Sequence, residues 1–351
     1  MKDSKDIYRL LNQVEFNIED YEKKELEDME KQNLKNNLKK SMKKRFNFKR
    51  FGATAAALIL TVGILSQTSF GKIVYANAES KIAELSYSIG RALGTEKNIQ
   101  PYANVVNEVV ENNGVGIKLM DVIIDKDELI LSTILNTNEP IEGVVFNKTI
   151  FIDGKKRETK GASGISGAID DSNTIFSEIY FIDMEDIELK DDMDIRIVFD
   201  ALNYFTGESE KKVKGKWEFE FRANGSELMD NTNALPLDYS FNIDNNKYTL
   251  EEFRYNPVSQ KIYGKIDQKH KGDYDISLRG NDNLGNKVEF GISRMSDKDM
   301  VFKYQNIYGD LSDNLTSITL TPYAVKFPEE SGRMNNDYKQ VGEEFTIYLN
   351  R

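Results

Sequence analysis

The chain has 351 residues, 30% of them charged, with no cysteine and a single histidine. Disulfides, thiolate metal sites and cysteine nucleophiles are excluded on that count. The formal net charge is −11, and residues 71–351 carry 33 basic against 48 acidic side chains, a balance that repels nucleic acid and leaves no footprint for binding it.

The first fifty residues read as two short helices. Ile7, Leu10, Leu11 and Val14 fall at i, i+3, i+4 and i+7, which puts four apolar side chains on one helical face, and Asp3 or Ser4 can cap its start. Phe16-Asn17-Ile18 breaks the pattern. Asn17 then caps a second helix carrying Tyr21, Leu26, Met29, Leu34, Leu38 and Met42, with Glu19, Asp20 and Glu22 at the positive end of its dipole. Fifty residues bury too little surface for a domain. The apolar face around Leu10 is therefore expected to dimerise, to lie on a membrane, or to dock in a partner's groove. The acids upstream disfavour the membrane surface, because lipid-binding helices are rich in Lys and Arg.

Phe51 to Gly71 carries no charge, and its centre (AAALILTVGIL) is apolar apart from Thr61. A helix of about twenty residues spans the roughly 30 Å of a bilayer's hydrocarbon core. Residues 31–50 hold nine Lys or Arg and no acid, Lys43, Lys44, Arg45, Lys49 and Arg50 lying closest to the apolar run. Such a positive flank keeps its side cytoplasmic. The expectation is a single-pass membrane protein, N-terminus inside and C-terminus outside. The alternative is a cleaved secretion signal, with Ala76-Asn77-Ala78 as an A-x-A site. The fifty-residue charged lead argues for a retained span.

Outside, Glu79 to Leu93 predicts an amphipathic helix with Ile82, Leu85, Ile89 and Leu93 inward, ended by Gly94. Asn104 to Gly114 suits helix or strand. From Gly116 the period changes to two. GIKLMDVIIDKDELILSTIL predicts strand, turn at Asp125-Lys126-Asp127, strand, and IEGVVFNKTIFIDGKK, TIFSEIYFID, DIRIVFDALNYF and KGKWEFEFRA continue the series. Trp217, Phe219 and Phe221 alternate with charged residues, marking one buried and one wet face. Asn224 to Leu235 reads as an interdomain joint, and a second strand series (YSFNID, KYTLEEFRYN, QKIYGKIDQ, DYDISLRGN, KVEFGISR, SITLTPYAVKF, EEFTIYL) follows. The predicted fold is mainly β, with two tandem immunoglobulin-like β-sandwiches at 104–225 and 236–351. Before them come a helical segment (1–50), a transmembrane helix (51–71) and a stalk (72–103).

No constellation for catalysis emerges. His270 stands in a lysine-flanked turn without an orienting carboxylate. GASGISG misses the G-x-S-x-G spacing, and Ser41 to Lys44 and Ser209 to Lys212 match S-x-x-K without further partners. GNDNLGNK lacks the Gly-Lys-Ser/Thr ending of a P-loop. The acidic run Asp183 to Asp194 lacks the central glycine of a calcium loop and reads as a solvated segment. No enzyme, cofactor or metal is expected.

The acidic-then-basic inner segment, one span, an amphipathic outer segment and the GIKL opening of a β domain together resemble a family. It comprises single-span proteins of Gram-positive bacteria with domain of unknown function 4179, often with a second, immunoglobulin-like domain. The resemblance implies an anti-sigma factor that sequesters an extracytoplasmic-function sigma factor through residues 1–45 and senses the envelope outside, where the ligand or protease is unknown. It places the sigma-factor interface on Ile7, Leu10, Leu11, Val14, Leu26 and Met29. The zinc-binding His and two Cys of many anti-sigma domains are absent from residues 1–50, so bare helices would have to make the contact. A surface-anchored adhesion or envelope-binding protein with an inert tail is the alternative.

Overall fold

A computed structural model describes residues 88–95, 97–169, 171–206, 209–267, 274–296, 298–328, 330 and 334–349. The expected inner helices with their interface residues, the span at 51–71 with its basic flank, the A-x-A site and His270 lie outside the described residues. Within them, no helix is long and apolar enough to cross a membrane.

Residues 104–223 form two facing antiparallel sheets. The first has the order β1 (Asn104–Asn112), β2 (Val115–Ile124), β3 (Glu128–Asn136), β7 (Ile175–Met184), β6 (Thr159–Ala168). The second runs β5 (Lys155–Arg157), β4 (Gly143–Ile152), β8 (Met193–Thr206), β9 (Ser209–Ala223). The ambiguous stretch after Asn104 is thus a strand. Ile117, Leu119, Leu131 and Ile182 of one sheet pack on Ile150, Ile197, Phe199 and Phe219 of the other. Trp217 is fully buried, as its alternation predicts, and its indole N–H donates to the Val115 carbonyl at 2.9 Å. Gly215 makes room for that ring, since a Cβ there would lie 2.5 Å from it.

The second domain departs from the sandwich expectation. It is one continuous sheet in the order β10 (Asn233–Ile243), β11 (Asn246–Tyr255), β12 (Gln260–Asp267), β15 (Asp299–Tyr304), β14 (Lys287–Met295), β13 (Tyr274–Asp282), β16 (Ser317–Lys326). Strands β17 (Lys339–Gln340) and β18 (Phe345–Tyr348) both pair with β16. The sheet curls until its ends meet. Tyr239 of β10 stacks on Phe345 of β18 at 4.1 Å, and its hydroxyl donates to the Glu343 carbonyl at 2.5 Å. Phe253, Leu278, Phe290, Phe302 and Leu320 fill the interior. One curled sheet buries one face as effectively as two flat ones, so the alternation of apolar residues does not distinguish them.

Two short helices stand at the boundary: α1 (Ser88–Leu93) before the first domain and α2 (Ser226–Asp230) between the two. Of the helix expected over Glu79 to Leu93, the described part is α1, which ends at Gly94 with φ +67°, the left-handed conformation of a glycine cap.

Candidate functional site at the joint between the β domains

The β2–β3 hairpin places three acids together. Asp125 N–H donates to the Glu128 carbonyl at 2.8 Å, and Lys126 N–H to the Asp125 carboxylate at 2.8 Å. The loop after β7 braces this turn from outside: Met184 N–H bonds Asp127 O at 2.9 Å, and Ile187 N–H bonds Lys126 O at 2.6 Å. That loop is the acidic run seen in the sequence. Its acids Glu185, Asp186 and Glu188 are exposed, while Met184 and Ile187 are buried.

Against the hairpin tip stand cations of the second domain. Lys261 on β12 is 3% exposed, with its Nζ 2.8 Å from Asp127 Oδ1, 3.0 Å from Glu128 Oε2 and 3.9 Å from Asp125 Oδ2. Lys303 on β15 reaches Glu128 Oε1 at 2.8 Å and lies 4.7 Å above the ring of Phe181. Ser259 Oγ donates to Asp125 Oδ2 at 2.6 Å, and the Tyr263 hydroxyl to Asp127 Oδ1 at 3.1 Å. Arg254 donates to the Tyr263 oxygen at 3.1 Å and pairs with Glu252 at 2.5 Å.

Burial penalises each of these charges, and their proximity reverses the penalty. Desolvation would raise the Glu128 pKa, yet the Lys261 and Lys303 ammoniums hold it down at about 2. Asp127 is likewise lowered, its burial outweighed by Lys261. Desolvation would lower Lys261, but Glu128, Tyr263, Asp127 and Asp125 keep it well above the ordinary lysine value. Asp127, Glu128 and Lys261 are therefore ionised at neutral pH. A buried group of this kind contributes little over an apolar core, but removing one partner strands the others.

An apolar cluster continues the joint. Ile89 of α1, Ile99, Ile123, Ile130 and Ile179 from the outer face of the first sheet, Leu228 of α2 and Val258 of the β11–β12 turn pack together. This explains why β2 and β3 read as nearly unbroken apolar runs: both faces are covered. Past α1, the chain is fastened to the second domain. Asn306 donates its amide to the Gly94 carbonyl, Thr95 Oγ1 donates to Asp310 at 2.9 Å, and Lys97 Nζ meets Asp313 at 2.9 Å.

The other motifs resolve into ordinary structure. GNDNLGNK is the β13–β14 turn, where Asp282 accepts from the Leu284 and Asn286 amides and Gly285 sits at φ +88°. GASGISG is part of the edge strand β6.

Comparison with known families separates the two sides of this joint. Residues 43–137 match a domain of unknown function (DUF4179), and residues 232–349 match a family of unknown function (DUF5643). The two matches follow one another along the chain. The acid-bearing hairpin belongs to the DUF4179 segment, and Arg254, Lys261 and Lys303 to the DUF5643 segment. A crystal structure of a conserved domain protein from Bacillus anthracis is similar over 72% of this chain and 94% of that one, at 18% identity and a TM-score of 0.55. At that identity the likeness concerns the fold alone. No curated protein matches the sequence.

Neither the network nor its partners is among the candidate residues that the sequence singles out. Asp125 to Glu128 looks like a solvated turn, and Lys261 like one more lysine beside a strand. The available signal is Lys261 standing within an apolar strand (QKIYGKI) opposite no acid of its own hairpin.

Proposed function

We propose that this protein is a single-pass membrane regulator, an anti-sigma factor without enzymatic activity. Residues 1–45 hold a cytosolic extracytoplasmic-function sigma factor through Ile7, Leu10, Leu11, Val14, Leu26 and Met29. Residues 51–71 cross the membrane, with Lys43, Lys44, Arg45, Lys49 and Arg50 inside, and the β domains report on the envelope. The supporting observation is the position of α1. It is the first described element after the apolar run, and it is held by both β domains at once. Any event that parts the domains changes the restraint on the chain leading back to the membrane. That is the arrangement a transmitting stalk needs, and an inert anchor has no use for it.

The test is Leu10→Glu with Leu11→Glu. Burying one Leu contributes roughly 1.5–3 kcal/mol, so losing two and stranding two carboxylates costs at least about 4 kcal/mol, near a thousandfold in affinity. The expected result is constitutive transcription of target genes with normal amounts of protein in the membrane. If deleting the gene leaves the transcript profile unaltered, the reading fails and the adhesion alternative takes its place.

A further inference from the structure

Beside the ionic network lies a cleft of about 470 Å³, walled by the connector after α1 (Lys97, Asn98, Tyr102), the interdomain linker (Asn231, Asn233) and the open end of the curled sheet. The size falls within the about 300–1,000 Å³ typical of small-molecule sites, and domain joints and barrel mouths are where such sites occur. Its floor is apolar, made by the buried Phe253 and Leu315, with the Tyr255 ring stacked on Phe253 at 5.2 Å. Among the described residues, its rim is uncharged or internally neutralised. Lys97 is taken by Asp313, and the remaining polar groups are amides, tyrosine hydroxyls and the Ser312 hydroxyl.

These features select the ligand's chemistry. Among the described rim residues, an anion would find no cation beyond the paired Lys97, and a cation would find only a carboxylate already paired. Asn231, Asn256 and Gln260 donate their amides within the protein. The Asn233 amide and the Tyr102 and Tyr255 hydroxyls are left to face a ligand, and a wholly apolar one would satisfy none of them. A molecule with one C–H face for the tyrosines and hydroxyls around its edge satisfies both parts, because amides donate and accept and aromatic faces take apolar surface. We propose that this cleft binds a neutral saccharide. Because its walls come from the connector, the linker and the second domain, the saccharide fits only while these stay docked, and binding favours the closed joint. This second step deepens the regulatory reading and rests on it; the binding site itself does not.

The test is saturation-transfer NMR on the full-length protein with chitotriose and maltotriose, followed by titration calorimetry. The expected result is saturable binding of at least one, weakened about tenfold by Tyr102→Ala, consistent with the loss of one aromatic contact. Asn233→Ala, which removes an exposed rim amide, should weaken it as well. Tyr308→Ala, exposed but outside the cleft, should leave the affinity unchanged. Absence of binding by both sugars overturns the proposal. So does tighter binding of the anionic trigalacturonate, or an affinity untouched by both cleft variants. Failure of the regulatory reading shows instead as unchanged transcription on gene deletion with saccharide binding intact.

Discussion

Glu178 and Glu128 are both buried carboxylates, and their surroundings give them opposite roles. Glu128 finds two ammoniums and is held at about 2. Glu178 on β7 points to the same side as Phe176 and Tyr180, has Ser166 as its one hydrogen-bonding aid, and is pushed by burial to about 7. Its Oε2 is buried without a hydrogen-bond partner, and Gly164 is the residue that leaves it room, since a Cβ there would lie 2.3 Å from Oε1. The signs follow from linkage. Glu128, depressed below its ordinary value of 4.5, stabilises the fold above that value, and the contribution is lost as pH falls towards about 2. Glu178, raised above 4.5, favours the fold when protonated and penalises it progressively as pH rises from 4.5 through about 7. Glu178→Gln keeps the shape and removes that penalty. Thermal melts at about pH 8 should show the variant about 1–3 kcal/mol more stable than the parent, with the two converging below about pH 5. Glu108, also raised to about 7 by burial and by Glu220, leaves a residual slope in the variant. A variant less stable than the parent at that alkaline pH would show that the ionised carboxylate is satisfied.

Elements are legible in proportion to how far their environment resembles a half-buried strand. The hairpin around Asp125 to Asp127 and the Trp217 strand stand where alternation puts them. Strand β6 escapes a sequence reading because TKGASGISGA has almost no apolar residues; it is an exposed edge whose one strand neighbour in the sheet is β7. Strand β15 escapes it for the opposite reason, since Met300, Val301 and Phe302 are buried in succession and show no alternation. Helix α1 is legible through Ile89 and Gly94, but its docking place is not, because an amphipathic face names no partner. The structure supplies the partner. Ile89→Ala removes the side chain at the centre of the cluster that touches both domains, a loss of about 2–4 kcal/mol for a buried Ile. The expected readout is local: faster amide exchange over residues 88–102 and in the 305–313 loop, with the interiors of both β domains still protected. Uniform loss of protection across both domains would mean that α1 is part of the global fold rather than a docked element.

At the scale of the molecule, the two β domains are visible in the sequence as two strand series, but their attachment is not. Contacts across about 130 residues of sequence leave no local pattern, and the acids and lysines involved are common residue types on any surface. The attachment has a consequence for Lys261. In a fragment of residues 232–351, which starts just before β10 at Asn233, the three acids of the first domain are absent and Lys261 faces water. Lys261→Met should then be neutral to within about 0.5 kcal/mol, the ordinary range of a surface substitution. In the full chain the same change leaves Asp125, Asp127 and Glu128 buried together without their shared cation, which costs about 3–5 kcal/mol. Chemical denaturation of the four proteins, fragment and full chain with and without the substitution, measures the difference directly. If Lys261→Met destabilises both equally, its role is internal to the second domain and the joint is not held by charge. If it destabilises only the full chain, adding Asp125→Asn, Asp127→Asn and Glu128→Gln to Lys261→Met should recover much of the loss, because a neutral hairpin no longer needs the buried cation.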